Sequence, residues 1–200
     1  MLKAALLSLV FLSLSTSLES TTITDAERKY LVDFMIRTKE RLLKDVKGLT
    51  QAQLNFKPDS TRWSVAECVE HITLTEKANF NRITEGLKSE ADSSKRSQIT
   101  LKDEDILKRY ADRSNKRKTS ETLEPKSSFG SHDAALKDFI TRRNANIEFA
   151  KTTKEDLRNR TTTYSFGTID LYQCLLALAA HSERHTEQLE EVMADPKFPK

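Results

Sequence analysis

Four stretches of this chain repeat apolar residues every three or four positions, and each opens on a local capping signature, so helices packed on one another are the architecture it can build. Thr24 with Glu27 forms a capping box, and Leu31, Phe34, Met35, Leu42, Val46 and Leu49 follow on one face, with Gly48 suited to the helix end. Ser64 with Glu67 forms a second box, with Trp63 and Cys68 at the spacing of a hydrophobic staple. Val65, Cys68, Val69, Ile72, Phe80, Ile83 and Leu87 mark its buried face. Ser131 can cap a third helix carrying Leu136, Phe139, Ile140, Ile147 and Phe149. The last helix, with Thr168 as its expected cap, carries Leu171, Cys174, Leu175, Leu178, Leu189, Val192 and Met193 and ends before Pro196.

The segments between are polar. Residues 50–62 and 152–167 read as loops, and residues 89–128 as a long crossover between helices two and three, with a weak helical patch over 101–110. No stretch reads as a convincing strand. The expectation is an all-α four-helix bundle over residues 24–195, antiparallel or a close relative of that arrangement. Two hundred residues with 37% hydrophobic content and only four glycines and four prolines suit one domain with a sizeable core.

Met1, Leu2 and Lys3 precede an apolar run from Ala4 to Leu14 and then Ser15, Thr16 and Ser17, the layout of a secretory signal peptide over residues 1–20. The run is shorter than the roughly 20 apolar residues of a membrane span. The expected setting is therefore periplasmic or secreted. Cys68 and Cys174 would meet an oxidising compartment there, but both fall on apolar stripes and read as small buried hydrophobes, with no disulfide expected. Charged residues make up 32% of the chain and nearly cancel to a net +3, which gives no electrostatic reason to expect nucleic acid. The basic cluster Lys116, Arg117 and Lys118 reads as solvated loop.

Chemistry concentrates on histidine. Only four are present, and two stand four apart in His181, Ser182, Glu183, Arg184, His185, which stacks their rings on one helix face. The apolar stripe from Leu178 to Leu189 runs through both. Imidazoles facing a bundle core need partners, at about 1–3 kcal/mol for each group left unsatisfied, and one metal ion would serve both. His71, three after Cys68 and beside Ile72, can supply a third ligand from the second helix. Taken alone, it reads as a hydrogen-bonded core histidine. His132, at the polar start of the third helix, reads as a surface residue. Glu70 and Glu183 read as solvated carboxylates, and Arg184 as a surface or dimer-contact residue.

The run Trp63-Ser64-Val65-Ala66-Glu67-Cys68-Val69-Glu70-His71, with the late His181-x-x-x-His185, resembles the DinB/YfiT-like superfamily of metalloenzymes. The likeness spans roughly residues 24–193, and Phe166 to Tyr172 also looks like the family's approach to its last helix. Many relatives carry a histidine upstream of that Phe-Gly, where this chain has Thr162, Thr163 and Tyr164. The resemblance implies a four-helix bundle, often dimeric, in which one histidine of the second helix and two of the last bind a divalent ion, here His71, His181 and His185. Zinc or nickel is the metal it favours, with iron or manganese also suited to three imidazoles. A three-histidine site keeps a position open for water or substrate, which makes a metal-dependent hydrolase acting on a small-molecule substrate the first expectation. Transfer of a low-molecular-weight thiol, or a non-catalytic metal- or partner-binding bundle, are the alternatives.

Overall fold

A computed structural model describes residues 23–114 and 118–200. The run read as a signal peptide lies outside the described residues, as do Lys116 and Arg117 of the basic cluster. Among the described residues, no helix is long and apolar enough to cross a membrane.

The capping signatures act where they stand. Thr24 Oγ1 accepts from the Glu27 N–H at 3.2 Å while the Glu27 carboxylate accepts from the Thr24 N–H at 2.7 Å, opening helix α1, Asp25–Val46. Ser64 and Glu67 make the same exchange ahead of the second long helix, Val65–Gly86. Between them, part of the expected loop is helical: Thr50 and Gln53 form a further box and start the single turn α2, Gln51–Asn55, so that Val65–Gly86 is α3. The crossover contains a 3-10 turn at Ser93–Gln98, helix α4 at Asp103–Ala111, where the weak helical patch stood, and a second 3-10 turn at Glu121–Leu123. Helix α5, His132–Thr152, starts on the Ser131 cap.

The approach to the last helix differs from expectation. Thr161–Tyr164 (β1) and Gly167–Asp170 (β2) pair as an antiparallel hairpin, with Thr161 opposite Asp170 and Tyr164 opposite Gly167. Gly167 at φ 138° makes the bend in a conformation that other residues rarely adopt. Thr168 therefore sits inside a strand. The cap of α6, Leu171–Met193, is Asp170, whose carboxylate accepts from the Gln173 N–H at 2.7 Å while the Gln173 side chain accepts from the Asp170 N–H.

Helix α6 packs on α1, α3 and α4, and α5 packs on α1 and α3. Of the consecutive long helices, α3 and α5 are neighbours, whereas α1 with α3 and α5 with α6 lie diagonally. The start of α1, the ends of α3 and α5 and the start of α6 share one apolar cluster, built around Leu31, Phe34, Ile83, Ile147 and Leu175. The opposite ends share a second, around Leu42, Val69, Phe139 and Leu189. Helices α1 and α6 therefore run one way and α3 and α5 the other. Two adjacent parallel helices cannot be joined by a tight turn, which is the physical reason for the long crossover between α3 and α5. Gly86 allows the end of α3 to meet the start of α6: a Cβ there would come within 2.7 Å of a Leu171 methyl.

A polar layer separates the two clusters at mid-height. Thr38 of α1, Thr75 and Glu76 of α3, Arg143 and Asn146 of α5 and Ser182 and Thr186 of α6 are all buried there. The Arg143 guanidinium donates to both Glu76 carboxylate oxygens at 2.7 Å, to Ser182 Oγ at 2.7 Å, and to Thr38 Oγ1 at 2.8 Å. Asn146 donates a further bond to Glu76 at 2.8 Å. One buried ion pair thereby touches all four long helices.

Candidate metal centre

The same layer brings three histidines together on the α3–α6 side. On α3, His71 follows Cys68 and precedes Thr75 on the face turned toward α6. On α6, His181 and His185 continue the line from Leu178 to Leu189, because residues three and four apart share a helix face. Ring centroids lie 5.0 Å apart for His71 and His181, 4.4 Å for His71 and His185, and 4.4 Å for His181 and His185. One ligand-capable nitrogen from each ring falls within 4.8 Å of the other two. His71 and His185 are buried, and His181 keeps part of its surface open.

Each ring is held through Nδ1. His71 Nδ1 lies 2.8 Å from the Leu123 carbonyl, His185 Nδ1 2.8 Å from Gln188 Oε1, and His181 Nδ1 3.1 Å from Thr75 Oγ1. A carbonyl oxygen can only accept, so Nδ1 of His71 and of His185 carries the proton. The Thr75 hydroxyl donates to its own helix, at 2.8 Å from the His71 carbonyl, and accepts from His181. All three rings therefore keep the lone pair on Nε2, the arrangement in which an imidazole binds a metal while its other nitrogen fixes its orientation.

Burial keeps these rings neutral. It pushes the pKa of His71 below the ordinary histidine value, opposed by the bond to Leu123. Burial, together with the neighbouring His185 and His71, holds His181 well below that value, and burial lowers His185 to about 3. Three uncharged rings in contact repel one another far less than three imidazolium ions would. They are also in the protonation state that metal binding requires.

Two aromatic rings flank the cluster. The Trp63 ring lies 4.7 Å from that of His71 and 5.8 Å from that of His185, while Tyr110 of α4 lies 5.9 Å from His181. Arg184 is half-buried and donates to the carbonyls of Tyr110 and Asp112, so it ties the end of α4 to α6 instead of standing free on the surface. Arg113 reinforces the tie by donating to the Arg184 carbonyl at 2.7 Å and to Glu191 at 2.6 Å.

Other expectations need correction. Glu70 is buried, not solvated: its carboxylate accepts the backbone N–H groups of Lys126, Ser127 and Ser128 at 3.1, 3.1 and 2.7 Å. Glu183 is half-exposed and lies 4.0 Å from Arg41. His132 stands apart from the three-histidine group and is half-buried, not a surface ring. Its Nδ1 is enclosed without a hydrogen-bond partner among the described residues, and burial lowers its pKa. Cys68 and Cys174 are both free thiols at full burial, which raises both pKa values, that of Cys174 to about 12. Reading the sequence missed the Glu76–Arg143 pair. The available signal was its placement, since Arg143 lies on the stripe from Phe139 to Ile147 where an apolar residue is expected.

Comparison with known proteins agrees with this fold. Residues 35–189 match the family model described as the DinB superfamily. The chain is 26% identical over 149 residues to YuaE of Bacillus subtilis, named an uncharacterized protein, covering 74% of this chain and 88% of that one. Among solved structures, the fold is shared with YfiT from Bacillus subtilis, described as a probable metal-dependent hydrolase with an unusual four-helix bundle topology. There the TM-score is 0.58 at 15% identity, over 86% of this chain and 89% of the other. A bundle in which α1 lies diagonal to α3 and α5 diagonal to α6, the spacing of His71, His181 and His185, and a family match across most of the length lead to one conclusion: the chain belongs to the DinB superfamily.

Proposed function

We propose that His71, His181 and His185 hold one divalent metal ion and that the protein is a metal-dependent hydrolase acting on a small-molecule substrate. The observation that carries this reading is the common state of the three rings: each is pinned through Nδ1 and each offers Nε2. A buried cluster of neutral imidazoles with their donor sides already used has a natural partner in a cation. Held by three histidines, a divalent ion would supply Lewis acidity toward a substrate oxygen or water while leaving room for it to bind.

The chain's own residues prepare that chemistry. Leu123, Thr75 and Gln188 fix which nitrogen of each ring is basic. Trp63 and Tyr110 place flat apolar walls beside the rings, which favours desolvation of a bound substrate. The Arg143 charge nearby is matched by Glu76, so it adds little net repulsion toward a cation. Three imidazoles suit zinc or nickel, and also iron or manganese. The description of YfiT supports the hydrolase reading. The residue order of positions 1–20 supports an exported, periplasmic or secreted setting, and the family resemblance supports a homodimer; both belong to the same proposal.

One observation favours a second reading, a non-catalytic metal-binding bundle. The two carboxylates that neighbour the ligands in sequence are committed elsewhere, Glu70 to the loop amides and Glu183 toward Arg41. Metal analysis of purified protein, followed by ester, amide and phosphoester screens, separates the two. Turnover that follows metal content and disappears with His181→Ala supports the hydrolase. Stoichiometric metal without turnover supports the binding bundle, and absence of metal uptake overturns both.

A further inference from the structure

Glu70 and His71 are neighbours in sequence and point to different sides of α3, yet both grip the same segment. His71 donates Nδ1–H to the carbonyl of Leu123, and Glu70 accepts the N–H groups of Lys126, Ser127 and Ser128. The segment 123–128 is thus a strap laid over α3 and fastened at two points. Ser127 adopts φ 59°, a left-handed conformation that lets successive amides converge on one anion. Nothing else neutralises Glu70: among the described residues its carboxylate has no cationic side chain in ion-pair reach. Lys126 Nζ turns away to Glu121 at 3.3 Å and Glu124 at 3.6 Å. A buried carboxylate satisfied only by amides makes charge-assisted bonds, roughly twice as strong as neutral ones.

We propose that Glu70 is a positioning residue for His71: by gathering the amides of residues 126–128 it fixes the strap whose Leu123 carbonyl holds the His71 proton on Nδ1 and turns Nε2 toward His181 and His185. The functional consequence rests on the metal-centre reading above, whereas the structural link does not. Without the carboxylate, three amides would lose their acceptor and the strap would seek water. The Leu123 carbonyl would then leave its place against His71 Nδ1. An imidazole freed in this way divides between its two tautomers and loses its fixed orientation.

The test uses the full-length chain, metal-free for the first measurement. Nitrogen-15 NMR of the imidazoles should show His71 in wild type as a single tautomer protonated at Nδ1, and as a tautomer mixture in Glu70→Ala, with His185 unchanged as the internal control. Competition titration with Zn²⁺ should then show affinity lowered on the order of 10–100-fold in Glu70→Ala. Ser127→Val loosens the strap without altering α3, because a β-branched residue resists the left-handed conformation. It should shift both readouts the same way, while Ser127→Gly should behave as wild type. A folded Glu70→Ala with an unshifted His71 tautomer and wild-type Zn²⁺ affinity overturns the proposal. If Glu70→Ala does not fold, an unshifted tautomer in Ser127→Val does so. Wild-type protein that takes up no Zn²⁺ overturns the metal centre instead, and the tautomer measurement still decides the role of Glu70.

Discussion

The Nδ1 of His181 meets the hydroxyl of Thr75 at 3.1 Å across the α3–α6 interface, so a side chain of one helix sets the protonation pattern of a ring on another. Thr75→Val keeps the shape and removes the acceptor. A buried ring N–H left without a partner costs about 1–3 kcal/mol. His181 relieves that cost by moving its proton to Nε2, where it competes with a metal. The variant should bind Zn²⁺ roughly 10–100-fold more weakly, as losses of groups that orient metal ligands do, with Thr75→Ser restoring affinity. Competition titration of the three proteins measures it, and equal affinities would show that the hydroxyl does not orient the ring.

Metal should couple to folding. The three rings come from helices that the unfolded chain does not hold together, so a bound ion stabilises the native state by about 2.7 kcal/mol when its free concentration is 100 times Kd. Thermal unfolding should shift upward with added Zn²⁺ in wild type and fall back with chelator. His185→Ala should respond to neither. A melting temperature in wild type that ignores both additions would rule out a site closed by folding.

Acid should weaken the metal-free protein through the same rings. Burial lowers the pKa of His71, His181 and His185 in the folded state, the last to about 3. The unfolded chain therefore binds protons first as pH falls, and the stability these groups contribute is full above about pH 6.5. It declines steadily as pH drops below that value toward 3. Chemical unfolding of chelated protein between pH 8 and pH 4 tests the sign, and replacing His181 and His185 together by Gln should flatten the profile. A flat profile in the unsubstituted protein would count against neutral buried rings.

Local signals were legible in the sequence and long-range ones were not. The boxes at Thr24–Glu27 and Ser64–Glu67 close within one turn, so the residues that make them also announce them. The three histidines were legible because two share a helix face and the third sits on another stripe. The hairpin at Thr161–Asp170 escaped because four-residue strands are too short to show alternation. The same hairpin moved the α6 cap from Thr168 to Asp170. Glu70 read as solvated because its partners are backbone amides 56 to 58 positions away, and no pattern of side chains marks them.

Arg143 and Glu76 present the same difficulty at the centre of the bundle, where they lead to the most demanding stability test. Both side chains are essentially without solvent contact, at 0% and 1% exposure, and each satisfies the other's charge. Glu76→Ala leaves a guanidinium in the core without its counter-charge, hydrogen-bonded to Thr38, Ser182 and the Met35 carbonyl and lying over the Phe139 ring. Breaking one side of a buried pair typically costs about 3–5 kcal/mol, so urea midpoints should fall steeply for Glu76→Ala and for Arg143→Ala. Replacing both residues together, Glu76→Leu with Arg143→Met, removes the uncompensated charge and should recover much of the loss. Asn146 and Ser182 would then lack their partners, so the recovery should be incomplete. A double variant no more stable than the singles would show that the pair acts through its hydrogen-bond geometry across all four helices and not through charge balance.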